Sequence, residues 1–277
     1  MQALQLGTGP DLVLIHGAGA NINDFTLGLA QDLAQSYRVT LFDRPGHGAS
    51  PAAPGSDSPM AQALQLAQAA QSLGLVSPLV LGHSYGASVA LAWALLARGL
   101  LGQARPALAP AALVLVSGVL MPARLGLRPL TLLAATRLGR AIIAPLSAAW
   151  TADFMQRAVL DAIFSPQAVP ALYAQQMGAS LALRRASLAA NALQIAHLRP
   201  CLRQMAPAYP VLGLPVEIVH GTADLVVPHE AHAQAAARLL PNAHVTLLPG
   251  IGHMPHHTDP QAIVAAVQRA SALVMAD

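Results

Sequence analysis

The chain has 277 residues, 55% of them hydrophobic and only 10% charged, with a formal net charge of +3. That length and apolar content suffice for one large domain, or one domain carrying an insertion. All 15 basic residues are arginine, and they are scattered rather than interleaved with aromatics, so no nucleic-acid partner is expected. Mean hydropathy is positive at +0.50. Pro110, Arg124, Arg137 and Arg140 nevertheless interrupt every apolar run before the roughly 18 residues a transmembrane helix needs. The first residues, Met1 to Leu6, lack the basic and apolar regions of a secretory signal. Cys201 is the single cysteine and has no internal partner for a disulfide, so a cytoplasmic location is expected.

In chain order, Ala3 to Leu6 reads as one short strand, and Leu12-Val13-Leu14-Ile15 as a second that runs into His16-Gly17-Ala18-Gly19. Val39 to Phe42 is a third, followed by the structured turn Asp43-Arg44-Pro45-Gly46-His47-Gly48. The proline- and serine-rich stretch Pro51 to Pro59 is a loop before a helix over Met60 to Leu73. The apolar run Pro78 to Leu81 then leads into Gly82-His83-Ser84-Tyr85-Gly86 and a helix over Ala87 to Arg98. After the loop Gly99 to Pro110 comes a strand over Ala112 to Val116. Strand signals then stop. From Leu120 to about Pro210 the pattern is helical, broken by Pro129, Pro145, Pro166, Pro170 and Pro200. Strands resume with Val216 to His220, ahead of Gly221-Thr222-Ala223-Asp224, and with His244 to Leu248, ahead of Pro249-Gly250-Ile251-Gly252-His253. Seven strands are predicted.

G-x-S-x-G between a strand and a helix has the form of a nucleophile elbow, whose glycines leave room for chain passing close to the turn. A serine hydroxyl is a poor nucleophile until a base takes its proton and a third group orients that base. Ser84, Asp224 and His253 each follow a predicted strand, so loops at one sheet edge can bring them together. The glycine-rich turn after the second strand can aim the backbone N–H of Ala18, or of Gly19, at a developing oxyanion, with the N–H of Tyr85 as second donor. Asp43 is the rival acid, expected instead to bond its own turn. His16 and His83 are expected to support the oxyanion loop by hydrogen bonds, and His47 and His220 to be structural or to stand behind the reacting groups.

The histidines also raise a metal site. His253, His256 and His257 are spaced i, i+3, i+4, and His229 and His232 flank Glu230. The H-E-x-x-H pattern is absent, and zinc needs three or four convergent ligands, so no metal is expected. His256 and His257 are expected at the start of the last helix, facing a pocket rim or solvent.

In this order, H-G-A-G, D-R-P-G-H-G, G-H-S-Y-G, H-G-T-A-D and G-x-G-H resemble the α/β-hydrolase superfamily, over nearly the whole chain. The resemblance implies an α/β fold: a mostly parallel, doubly wound sheet flanked by helices, with a helical cap inserted at 120–210 and the core formed by 1–119 and 211–277. It also implies Ser84, Asp224 and His253 as a catalytic triad acting on an ester or related acyl bond of a small, apolar substrate, without metal or organic cofactor. A serine at the elbow argues against epoxide hydrolases and haloalkane dehalogenases, which place aspartate there. Carbon–carbon bond hydrolases of meta-cleavage type are an alternative, but their usual glycine after the pentapeptide is Ala87 here. Cofactor-free perhydrolases usually carry an aromatic residue at the position of Ala18. A non-catalytic binding module on the same fold is the alternative of a different class. Arg124, Arg128, Arg137 and Arg140 read as solvated positions of amphipathic cap helices or as a mildly basic mouth, and Cys201 as a packed small hydrophobe.

Overall fold

The computed structural model describes residues 1–125, 151–178, 181 and 184–276. Arg128, Pro129, Arg137, Arg140 and Pro145, named above within the expected cap, lie outside the described residues. Seven strands form one sheet: β1 (Ala3–Leu6), β2 (Asp11–Ile15), β3 (Arg38–Phe42), β4 (Leu79–His83), β5 (Ala112–Val116), β6 (Val216–Gly221) and β7 (Ala243–Leu248). Their order is β1-β3-β2-β4-β5-β6-β7. Only β1 is antiparallel to its neighbour; the remaining pairs are parallel.

Parallel strands covered by helices on both faces are apolar throughout rather than alternating. β2, β4 and β5 are buried at every residue. The register aligns their carboxyl ends, pairing Ile15 with Phe42 and with Gly82, His83 with Val116, Val116 with Val219, and Gly221 with Leu248. The segments that begin at His16, Asp43, Ser84, Thr222 and Pro249 therefore emerge at one edge, where ligands bind in open α/β sheets.

The helices named here are α1 (Asn23–Thr26), α2 (Leu29–Ala34), α3 (Pro59–Ser72), α4 (Tyr85–Ala97), α5 (Thr151–Phe164), α6 (Tyr173–Gln176), α7 (Arg185–Met205), α8 (Pro255–Thr258) and α9 (Pro260–Ala276). α3 starts where its sequence says a helix should: Ser58 accepts from the Ala61 N–H at 3.1 Å, and Pro59 occupies the first turn. α4 is buried from Tyr85 through Leu96, as an all-round apolar helix must be. Trp93, fully buried within it, donates from Nε1 to the Leu108 carbonyl at 2.7 Å. One core cluster joins α4 to α3 and to Leu198, Leu202 and Met205 of α7; a second packs Leu12, Leu14 and Val114 against α2 and α9.

The elements described between β5 and β6 are helices. Pro200 does not break the chain there, contrary to the sequence expectation; α7 runs through it. An interior proline removes one helical hydrogen bond and costs about 3 kcal/mol. Burial of Leu198, Cys201, Leu202 and Met205 around it offsets that cost. Among the described residues, no helix is long and apolar enough to cross a membrane.

Candidate active site

Ser84 follows the last residue of β4 and precedes the first of α4, with φ 53° and ψ −115°. A positive φ at a non-glycine residue is strained, by about 1–3 kcal/mol, and the surroundings hold it in place. Its N–H donates to the Val116 carbonyl at 2.9 Å, and its carbonyl accepts from Ala87 and Val119, both at 3.2 Å. A β-carbon at Gly82 would meet the backbone of Gly86 and Ala87, and one at Gly86 the carbonyl oxygens of Ile15 and His16. The two glycines of the pentapeptide are thus required by backbone crowding.

Ser84 Oγ lies 3.0 Å from His253 Nε2, and His253 Nδ1 lies 2.7 Å from Asp224 Oδ2. With Nδ1–H donating to the carboxylate, Nε2 is left as a free base facing the serine hydroxyl. All three side chains are buried. Asp224 Oδ1 accepts the N–H groups of Val226 and Val227 at 2.9 and 2.8 Å. Burial alone would raise the Asp224 carboxyl. The charge of His253, with hydrogen bonds from His220 and His253, outweighs it and holds the group well below the usual carboxylate range.

His220 is a further member of this set. Its Nε2 lies 3.1 Å from Asp224 Oδ2 and 2.8 Å from the Val227 carbonyl. Since a carbonyl only accepts, Nε2 carries the proton and is shared between the two oxygens. Gln167, between α5 and α6, holds the loop before the base: Nε2 donates to the Gly250 carbonyl and Oε1 accepts the Gly252 N–H, each at 2.8 Å. Nothing in the local sequence pattern singled out Gln167, because the contact spans the whole distance from the insertion to the last loop.

The glycine-rich turn is organised from below by Arg44. This fully buried guanidinium donates to the carbonyls of His16 and Gly17 at 2.9 and 2.7 Å, and to Gln62 and Gln194 at 3.0 and 2.7 Å. It also lies over the Tyr85 ring, 4.6 Å from the centroid. Burial lowers its pKa to about 10. The Gly19 N–H donates to Asn191 Oδ1 at 3.0 Å, and Ala18 and Gly19 are both exposed at the tip of the turn. Tyr85 opens α4, where first-turn amides have no acceptor within the helix.

The other histidines divide. His16 accepts the Arg44 N–H at 3.0 Å and donates from Nδ1 to the Gly17 carbonyl at 2.9 Å, beside the glycine-rich turn. His83 contacts the backbone carbonyl of His253 at 3.0 Å, and its ring also packs beside Gly17 of the glycine-rich turn. Asp43 bonds the N–H groups of Ile22 and Ala49 and stays within its own turn and the neighbouring segment. His256 and His257 do not face solvent or a rim. Both turn inward onto Asp24, a residue the sequence reading passed over, because one aspartate in a short helix far from the histidines carries no pattern.

Known proteins resemble this chain along the same lines. An uncharacterised protein of Mycobacterium tuberculosis is 28% identical over 278 residues, taking in 95% of this chain and 75% of the relative. Pimeloyl-[acyl-carrier protein] methyl ester esterase of Aeromonas salmonicida is 43% identical over 89 residues, 31% of this chain and 32% of that protein. The structure of an alpha/beta hydrolase fold protein from Burkholderia ambifaria matches with a TM-score of 0.76 at 27% identity, covering 96% of this chain and 92% of that one. The sequence model of the alpha/beta hydrolase family matches residues 12–267, and with the parallel sheet and its strand-end loops this chain belongs to that family.

Proposed function

We infer that this protein is a serine hydrolase that cleaves an ester or related acyl bond of a small, apolar substrate through an acyl-enzyme. The observation that carries the reading is the hydrogen-bonded line Ser84–His253–Asp224, at 3.0 and 2.7 Å. His253 Nε2 takes the Ser84 proton as Oγ bonds to the substrate carbonyl carbon. The imidazolium returns that proton to the leaving alcohol oxygen as the carbon–oxygen bond breaks. Water, deprotonated by the same nitrogen, then releases the acid and restores Ser84. Asp224 keeps the imidazole in the Nδ1–H tautomer and stabilises its cation. The N–H groups of Ala18 and Tyr85 receive the oxyanion; the engagement of Gly19 with Asn191 supports Ala18 over its neighbour.

Residues 120–210 serve as the cap over this site, and 1–119 with 211–277 as the core. The protein acts in the cytoplasm. The partial similarity to an esterase of a carrier-linked methyl ester makes acyl methyl esters, free and carrier-bound, the first substrates to try. Intact-mass analysis after fluorophosphonate treatment tests the reading. One adduct on the native chain and none on Ser84→Ala is expected, with ester hydrolysis by the variant reduced about 10⁵- to 10⁶-fold. A folded native chain that takes no adduct and hydrolyses no ester would leave the fold as a binding module.

A further inference from the structure

Beside His253 lies a buried group of side chains with no place in the hydrolytic scheme. Asp24 of α1, His83 at the end of β4, and His256 and His257 of α8 converge there, joined by Tyr173 of α6. The His83 and His256 rings are 4.3 Å apart, as are those of His256 and His257. Asp24 is 1% exposed, His256 2% and His83 3%. Asp24 Oδ1 accepts from Tyr173 at 2.7 Å and lies 2.9 Å from His257 Nε2.

The remaining polar atoms are not satisfied. Asp24 Oδ2, His83 Nδ1 and both ring nitrogens of His256 are buried without a hydrogen-bond partner among the described residues. Such atoms call for a missing group, because an unpaired buried acceptor costs about 1–3 kcal/mol. The tautomer of His83 sharpens this. Its Nε2 faces the His253 carbonyl, which only accepts, so Nε2 holds the proton and Nδ1 presents a lone pair. That lone pair faces Asp24 Oδ2 at 3.9 Å, and His256 Nε2 approaches the same oxygen at 3.3 Å. Two buried lone pairs opposed in this way are reconciled by a cation between them.

We propose that Asp24, His256 and His257 bind one divalent transition-metal ion of the zinc type. One ligand atom from each lies within 4.8 Å of the others. Tetrahedral zinc with bonds of about 2.0–2.1 Å has ligand–ligand edges of about 3.3 Å; His256 Nε2 lies 3.3 Å from Asp24 Oδ2 and His257 Nε2 2.9 Å from Asp24 Oδ1. Imidazole and carboxylate without thiolate suit zinc among the common cations. Asp24 and His256 are buried and His257 is half-buried, so the ion sits away from bulk solvent. It joins α1 near the amino end to α8 just after the base loop.

The test uses protein purified without a polyhistidine tag and needs no hydrolase assay, so it stands apart from the proposed activity. Elemental analysis after dialysis should find about one equivalent of divalent metal per chain. A strong chelator should lower the thermal midpoint by about 5 °C or more, and zinc should restore it. Cobalt(II) added to the stripped native chain should give visible d–d bands of tetrahedral intensity, lost in Asp24→Asn and His257→Gln. If either variant fails to fold, the native cobalt spectrum and the zinc-dependent midpoint decide the matter. Metal-free protein whose midpoint ignores zinc and chelator overturns the proposal and leaves a hydrogen-bonded charge cluster. Cobalt bands that persist in folded Asp24→Asn overturn the ligand assignment.

Discussion

Two buried carboxylates in this protein meet histidine imidazoles, two around Asp224 and three around Asp24, and their oxygens are filled in opposite ways. Asp224 is complete: two backbone N–H groups on Oδ1, His220 and His253 on Oδ2. Asp24 is lopsided, with Tyr173 and His257 on Oδ1 and no hydrogen-bond partner among the described residues on Oδ2. Both carboxyls are held well below their usual range: burial raises each, but the charges and hydrogen bonds of neighbouring histidines outweigh it. Electrostatics alone therefore do not distinguish the two. The geometry does: the imidazole on Asp224 reaches a serine hydroxyl, whereas those on Asp24 turn toward one another.

The widest separation is expected from matched substitutions. Asp224→Asn should lower kcat about 10⁴-fold, because the amide favours the wrong tautomer of His253. Asp24→Asn should lose less activity and more stability, about 3–5 kcal/mol in denaturant melts, as a buried charge partner is removed from its histidines. Equal losses of kcat in the two variants would erase the contrast. A smaller effect is expected at His220. His220→Gln should reduce kcat about 10-fold, the scale of one hydrogen bond to a charged group, with the Asp224 carboxyl shifted upward. An unchanged kcat would make His220 a packing residue only.

The smallest effect concerns histidines that belong to neither carboxylate. Burial lowers His47 to about 3, with Arg44 adding to the shift, and burial lowers His232 to about 4. In the unfolded chain each titrates near about 6.5. Between those limits the unfolded state binds more protons, so stability is full above about pH 6.5 and declines as the pH falls. The slope is at most about 1.4 kcal/mol per pH unit for each group. Urea melts between about pH 7 and 5 should show the decline, and His47→Gln should flatten it; a parallel decline in that variant would remove His47 as a source.

Much of the fold was legible along the chain. Five of the seven apolar runs ended in glycine, aspartate or histidine at a strand end, and a single short strand before Leu12 foretold a sheet of seven. The elbow was equally legible, because G-x-S-x-G between a strand and a helix is a pattern of adjacent residues. α7 was not, because Pro200 signals a break that only long-range burial of its neighbours overrides.

The sequence by itself determined the parallel sheet, the strand-end loops and the residue types at Ser84, Asp224 and His253, since strand period and turn chemistry act over a few residues. Only the tertiary structure decided that Asp24 meets His256 and His257, that Gln167 holds the base loop and that Arg44 lies buried under the glycine-rich turn. Those contacts join segments far apart in the chain, and no local propensity encodes where a distant side chain will end.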